Sequence, residues 1–189
     1  MRFGVFTVLS IWMLFAACTK KQHDQPVLAD TPDSLYIQQG DQLIAQTFDT
    51  LSKALIAAVN AGGFAHAVTF CNEKAYPITN TYATEGITIR RSSLKYRNPS
   101  NRPDSLEAAV LNDFLFSEAK PRLIRKEGIV HYIKPILLQP MCLNCHGKKG
   151  EHILPEVQTA IDASYPDDQA TGYAPRELRG IWHIAFAIK

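Results

Sequence analysis

The sequence predicts an α+β fold in which helices come first and an antiparallel sheet, with one inserted helix, follows. Two patterns indicate this order. In the N-terminal half, apolar residues recur three and four positions apart, as on one face of a helix, at Ile44, Phe48, Leu51, Leu55 and Val59. The C-terminal segment alternates instead, as in a half-buried strand, with one side formed by Trp182, Ile184, Phe186 and Ile188. Helices and strands do not alternate regularly, so a parallel doubly wound sheet is not expected.

Two helices are predicted at the start of the folded region. The first is expected to begin near Asp33 and to stop at Gly62 and Gly63, where glycine permits a left-handed backbone. The second is expected from about residue 65 to residue 77, and it carries Cys71.

The remaining elements follow from turn residues and apolar runs. Residues 87–94 are β-branched and then basic, as in a strand. Asn101 is placed to cap a helix over about residues 103–119. A second strand is expected over 128–138, a short helix over 155–163, and the alternating strand at the end.

Composition restricts the class of protein. The chain has 189 residues, a length suited to one domain. With 46% hydrophobic and 20% charged residues, it is neither a disordered acidic tail nor a multi-span membrane protein. The net charge of +2 argues against a nucleic-acid partner.

The N-terminus has the features of a bacterial lipoprotein signal. A positive start and a short apolar run over residues 1–17 precede Cys18. That run is shorter than the roughly 20 residues that span a membrane, and no later segment is expected to span one. We therefore expect a signal peptide over 1–17, a lipidated tether over 18–33 and one domain over 34–189.

This organisation predicts where the protein is located. Lipid on Cys18 would hold the domain to a membrane on the periplasmic side of the cell envelope. Thr19, rather than an aspartate, follows Cys18 and favours the outer membrane over the inner one.

The chemical motif is Cys142-Leu143-Asn144-Cys145-His146, the attachment sequence of c-type haem. Two thiols at this spacing reach the two vinyl groups on one porphyrin edge, and the adjacent histidine becomes the proximal iron ligand. One covalently attached haem c, made by the cytochrome c maturation machinery, is therefore expected. A zinc site, a thioredoxin-like redox pair and a plain disulfide are the alternatives.

The sixth iron ligand decides the chemistry, and several residues are candidates for it. They are Cys71, Met141, His66, His131, His152 and His183. Met141 adjoins the attachment motif and cannot reach the opposite haem face, and the other two methionines leave with the signal peptide. A methionine-ligated electron carrier is therefore not expected.

Four stretches of this chain resemble a family of bacterial c-type haem domains with a PAS-like fold, long known only as a domain of unknown function. The stretches are Phe70–Ile78, Arg90–Asp104, Tyr132–Gly147 and Tyr165–Gly180. The resemblance implies a sheet platform with haem held between it and the N-terminal helices. It also implies His146 and the Cys71 thiolate as the axial pair, in stand-alone lipoproteins or in sensing domains ahead of signalling modules.

Arginines in the second of these stretches are expected near the haem propionates, because guanidinium groups pair well with carboxylates. Arg91 and Arg97 are the candidates; the alternative is a solvated strand edge and turn.

Three functions follow as hypotheses. The first is a redox or small-gas sensor that is read by an unknown signalling partner. The second is a lipid-anchored electron-transfer cytochrome with an unknown redox partner. An enzyme is less expected, because two strong axial ligands leave no open position on the iron.

Overall fold

A computed structural model describes residues 31–188 of the chain. The predicted signal peptide, Cys18 and most of the predicted tether lie outside the described residues. In chain order the elements are α1 (Asp33–Asn80), β1 (Ile87–Ser92), α2 (Ser105–Phe116), β2 (Arg122–Lys126), β3 (Ile129–Leu137), α3 (Leu143–His146), α4 (Pro155–Ser164) and β4 (Leu178–Ala187).

The four strands form one antiparallel sheet in the order β1-β4-β3-β2, which confirms the predicted α+β class. β2 was not predicted. Three of its five residues are basic, so its sequence lacks the alternation of apolar and polar residues that predicts a strand. Basic side chains are typical of an edge strand.

β4 is the strand that departs most from its prediction. It lies between β1 and β3 and is buried on both faces rather than one. Ile184 and Phe186 pack with α1 on one side, whereas Ile181 packs with α2 on the other. The alternation in sequence is therefore not between core and solvent but between two apolar layers.

α1 consists of two helical arms that join at two glycines. Gly62 has φ −162°, and Gly63 has φ 75° with ψ −174°, a region essentially restricted to glycine. We call residues 33–61 the first arm and residues 64–80 the second arm. The break was predicted, but its backbone is not left-handed α. The second arm also continues past Pro77, where it was expected to end, to Asn80.

The first arm packs on the sheet through a face that the sequence pattern predicts only in part. Tyr36, Ile44 and Thr47 are buried there, whereas Phe48, predicted on the same helix face as Ile44, is 56% exposed. Tyr132 lies so close to Gly40 that a Cβ atom there would be 2.2 Å from its ring. This close approach sets the distance between the arm and the sheet.

α2 covers the other face of the sheet. Its N-cap is Asp104 rather than the predicted Asn101, because Asp104 and Glu107 form a reciprocal capping box. Val110 and Phe114 then pack against Ile133 of β3 and its neighbours.

A third apolar cluster joins the second arm to α4 and to the attachment motif. Its members are Val68, Ile153, Val157, Ile161 and Tyr165, with Phe64 and Cys145 packed against them. The segment that carries Cys71 is thereby held next to the motif.

α1 is also long and apolar enough, by composition, to span a membrane, although no such segment was expected. Two uses of its apolar side chains account for this composition. The first arm packs on the sheet, and both arms line a cavity.

Candidate functional site

A cavity of about 380 Å³ lies between the two arms of α1, the attachment motif, the end of β1 and the start of β4. This volume is within the range of ligand pockets, about 300–1,000 Å³. The apolar part of its wall comes from α1, through Leu55, Ile56, Val59, Phe64, Ala67 and Val68. Its polar part comes from thiols, an imidazole and guanidinium groups.

The attachment motif forms a compact helical turn at the cavity. A 3₁₀ turn over Pro140–Cys142 leads directly into α3. Cys142, Cys145 and His146 all line the cavity, and both cysteines are free thiols. Burial raises the pKa of Cys145 to about 11, so its thiol is protonated at neutral pH.

His146 presents one ring nitrogen to the cavity because the other is engaged. Its Nδ1 lies 2.7 Å from the carbonyl oxygen of Ala170. A carbonyl only accepts, so Nδ1 carries the proton and the Nε2 lone pair is left available. Burial holds the pKa of His146 well below its usual 6.5, which keeps the imidazole neutral. This is the tautomer and charge state required of an iron ligand.

A buried ion pair fixes the motif from behind. Arg97 donates to both carboxylate oxygens of Asp168, at 2.9 and 3.1 Å, and to the carbonyl of Cys145 at 2.7 Å. Asp168 also accepts from the backbone N–H of Ala170, the residue whose carbonyl orients His146. One network therefore positions both the second thiol and the imidazole.

Cys71 lies on the second arm and lines the same cavity. Burial raises the pKa of its thiol, whereas the charges of Arg91 and Arg97 oppose that rise. A thiolate at this position therefore depends on a nearby cation.

The other candidates for the sixth ligand are placed differently. Met141 lines the cavity but stands next to Cys142, and it is 47% exposed. The lining residues within 31–188 include none of the four histidines His66, His131, His152 and His183. Among the predicted candidates, Cys71 is thus the one that reaches the cavity from an element other than the motif.

The two predicted propionate contacts both line the cavity, but they are engaged differently. Arg97 is committed to Asp168 and to Cys145. Arg91 lies over the ring of Trp182, 5.7 Å from its centroid, and donates to the carbonyl of Ala75 at 3.4 Å.

Two site residues were missed in the sequence, although both fall within the stretches that carry the family resemblance. Asp168 supports the motif, and Arg179 lines the cavity at the start of β4. The local sequence gives no signal at either position, because contacts with residues more than 70 positions away give each its role.

Comparison with known proteins relates this arrangement to haem. The crystal structure of the cyanobacterial haem protein Tll0287 is similar, with a TM-score of 0.56 and 26% sequence identity, over 83% of this chain and 96% of that one. This similarity supports haem binding. A search of curated proteins found no match. The sequence profile of the Tll0287-like family matches residues 20–187. Because the match spans most of the sequence, the chain belongs to the Tll0287-like family.

Proposed function

We propose that this chain is a c-type haem protein that senses redox state or a small gas at the cell envelope. In this proposal Cys142 and Cys145 hold the haem covalently, and His146 and Cys71 ligate its iron. The observation that carries the proposal is that two motif thiols, an imidazole with a free Nε2 and a third thiol all line one cavity.

The residues of the cavity fit the group. Haem, when bound, supplies an iron that takes up and releases one electron. The apolar side chains of both arms, Phe64 and Val68 among them, line the cavity and suit a porphyrin. His146 is held neutral and correctly oriented, and the motif thiols lie beside it.

Sensing is favoured by the conditions around Cys71. Its pKa is raised by burial, so the thiolate is retained only while it faces a strong positive charge. A bound iron would supply that charge in its ferric form and less of it in its ferrous form, so Cys71 would be protonated more readily in the reduced protein. The second arm joins the first at Gly62 and Gly63 and packs on α4 through Val68, so release of Cys71 would act first on that packing.

Electron transfer is the second candidate, and a feature of the cavity mouth favours it. Ile56, Tyr76 and Met141 line the cavity, and each is more than 40% exposed. An apolar rim of this kind suits contact with a redox partner. A cytochrome with this role would keep both axial ligands in both oxidation states.

The cellular setting belongs to the same proposal. Lipid on Cys18 would anchor the protein in a membrane, with the outer membrane favoured, and the cytochrome c maturation machinery would attach the haem. Changing Cys18 to Ser should release the protein from membranes. An enzymatic role is not proposed, because the two axial ligands would leave no open coordination position on the iron.

The test is absorption spectroscopy of the ferric, ferrous and ferrous carbon monoxide forms, compared between the wild type and Cys71→Ser. The wild type should show low-spin ferric haem with a thiolate ligand, loss of that ligand on reduction, and carbon monoxide binding. The variant should retain haem but lose the thiolate features, and His66→Ala, on the same arm, should match the wild type. An unchanged spectrum in Cys71→Ser would contradict the assignment. A thiolate that stays bound in the ferrous form would instead favour the electron carrier.

A further inference from the structure

Arg91 and Arg179 are two partly buried cations in the cavity wall that form no salt bridge within residues 31–188. Other arginines nearby are paired: Arg90 with Glu107 and Arg97 with Asp168. No carboxylate in the described part of the chain forms a salt bridge to Arg91 or Arg179, although both line the cavity. A charge that is partly removed from water without an ion-pair partner is stabilised by an anion, so this pair of arginines suits anionic groups.

Each guanidinium is held in place by neutral groups that leave donors free. Arg179 uses Nη1 to donate to Ser93 Oγ at 2.7 Å and to the Lys95 carbonyl at 3.0 Å. Arg91 uses Nη2 to donate to the Ala75 carbonyl. A guanidinium has five N–H donors, so both retain donors for a carboxylate.

The charge of Arg179 also acts on Arg91. Burial lowers the pKa of Arg91 first, and the charge of Arg179 lowers it further. Burial likewise lowers the pKa of Arg179. An anion placed between them would relieve both effects, and two carboxylates would neutralise the pair.

We propose that Arg91 and Arg179 together bind the two propionate carboxylates of the haem, and that Arg97 is instead a positioning residue for the attachment motif. This inference rests on the proposed haem binding and goes beyond it, because it fixes which end of the cavity receives the carboxylates. The thiols of Cys142 and Cys145 then receive the vinyl edge.

Resonance Raman spectroscopy of the haem-loaded protein tests the assignment, since propionate bending bands report hydrogen bonds to those carboxylates. Arg91→Gln and Arg179→Gln should each shift a propionate band to lower frequency and lower the midpoint potential, because each removes a positive charge near the iron. Arg102→Gln removes the same charge from an exposed position nearby and should change neither. Arg91→Lys and Arg179→Lys keep the charge and should largely restore the potential.

The outcomes separate this inference from the one on which it rests. Haem that survives denaturation, with unshifted propionate bands in both Gln variants, would overturn the arginine assignment and leave haem attachment intact. If the Gln variants do not fold, the Lys variants and the shift of the wild-type bands in deuterium oxide decide the matter. Bands that do not shift in deuterium oxide would show carboxylates without hydrogen-bond donors and would also overturn the assignment.

Discussion

At the scale of single residues, the site depends on charged groups that hold neutral ones in place. His146 and Cys145 would ligate and attach the cofactor, yet their orientation comes from Ala170, Asp168 and Arg97. The Arg97 and Asp168 side chains are 10% and 4% exposed. Removing one partner of a buried pair of this kind leaves the other uncompensated and typically costs about 3–5 kcal/mol.

Asp168→Asn should therefore lower the free energy of unfolding by about 3 kcal/mol in urea denaturation of the haem-loaded protein. It should also broaden the ferric spectrum, because the Ala170 carbonyl that orients His146 loses its support. Asp167→Asn, at the exposed neighbouring position, is the control and should change neither quantity. Equal stability in both variants would show that the ion pair does not hold the motif.

A second group of titratable side chains, joined by hydrogen bonds, lies on the sheet face covered by α2. Glu107 accepts from His183 Nδ1 at 2.7 Å, and His183 Nε2 lies 2.8 Å from His131 Nδ1. Burial alone would raise the pKa of Glu107, but its hydrogen bonds to His183 and Asp104 and the charge of Arg90 hold it below the usual 4.5. Burial and the neighbouring His183 lower the pKa of His131 below 6.5.

Both pKa shifts change the stability of the folded state in the same direction as the pH is lowered. The folded state binds fewer protons than the unfolded one at His131 below about pH 6.5 and at Glu107 below about pH 4.5. The free energy of unfolding should thus fall as the pH is lowered from 7 through both ranges. His131→Gln should reduce the fall between about pH 7 and 5, measured by urea denaturation, whereas His152→Gln should not. A flat profile in the wild type would contradict these shifts.

At the scale of elements, periodicity was a good guide to helices and a poor one to burial. It predicted both arms of α1 and their glycine break, because the pattern and the glycines are local features. It missed β2, and it predicted only one buried face for β4. The second face of β4 is buried because α2 packs on the far side of the sheet, and this tertiary contact leaves no local pattern in the sequence. The pattern placed Ile44 and Phe48 on one helix face, but only Ile44 is buried, since the buried part of that face depends on where the sheet lies.

Gly40→Ala tests how closely the first arm approaches the sheet. In an ordinary helix this change stabilises by about 0.5–1 kcal/mol. Here the added Cβ would lie 2.2 Å from the ring of Tyr132, so we expect a loss of about 1–3 kcal/mol instead. Thermal unfolding measures the sign directly, with Gln39→Ala at the exposed neighbouring position as the control. A rise in stability would mean that the arm moves away at little cost.

At the scale of the whole molecule, the sheet lies between the first arm of α1 and α2, and both arms of α1 line the cavity. The attachment motif was visible in sequence because its three key residues lie within five positions. Cys71 was one candidate among several until the family resemblance singled it out. Asp168 and Arg179 could not be assigned from sequence, since their partners are brought together only by the fold.

The central claim is that Cys142 and Cys145 hold one haem covalently in this cavity. The direct measurement is haem staining after denaturing electrophoresis, together with the intact mass, of protein made with the cytochrome c maturation machinery. The wild type should keep haem through denaturation and gain the mass of one haem group. Cys142→Ala combined with Cys145→Ala should lose both signals, whereas Cys71→Ser should retain them. A wild-type protein that holds one zinc ion and no haem would contradict the claim.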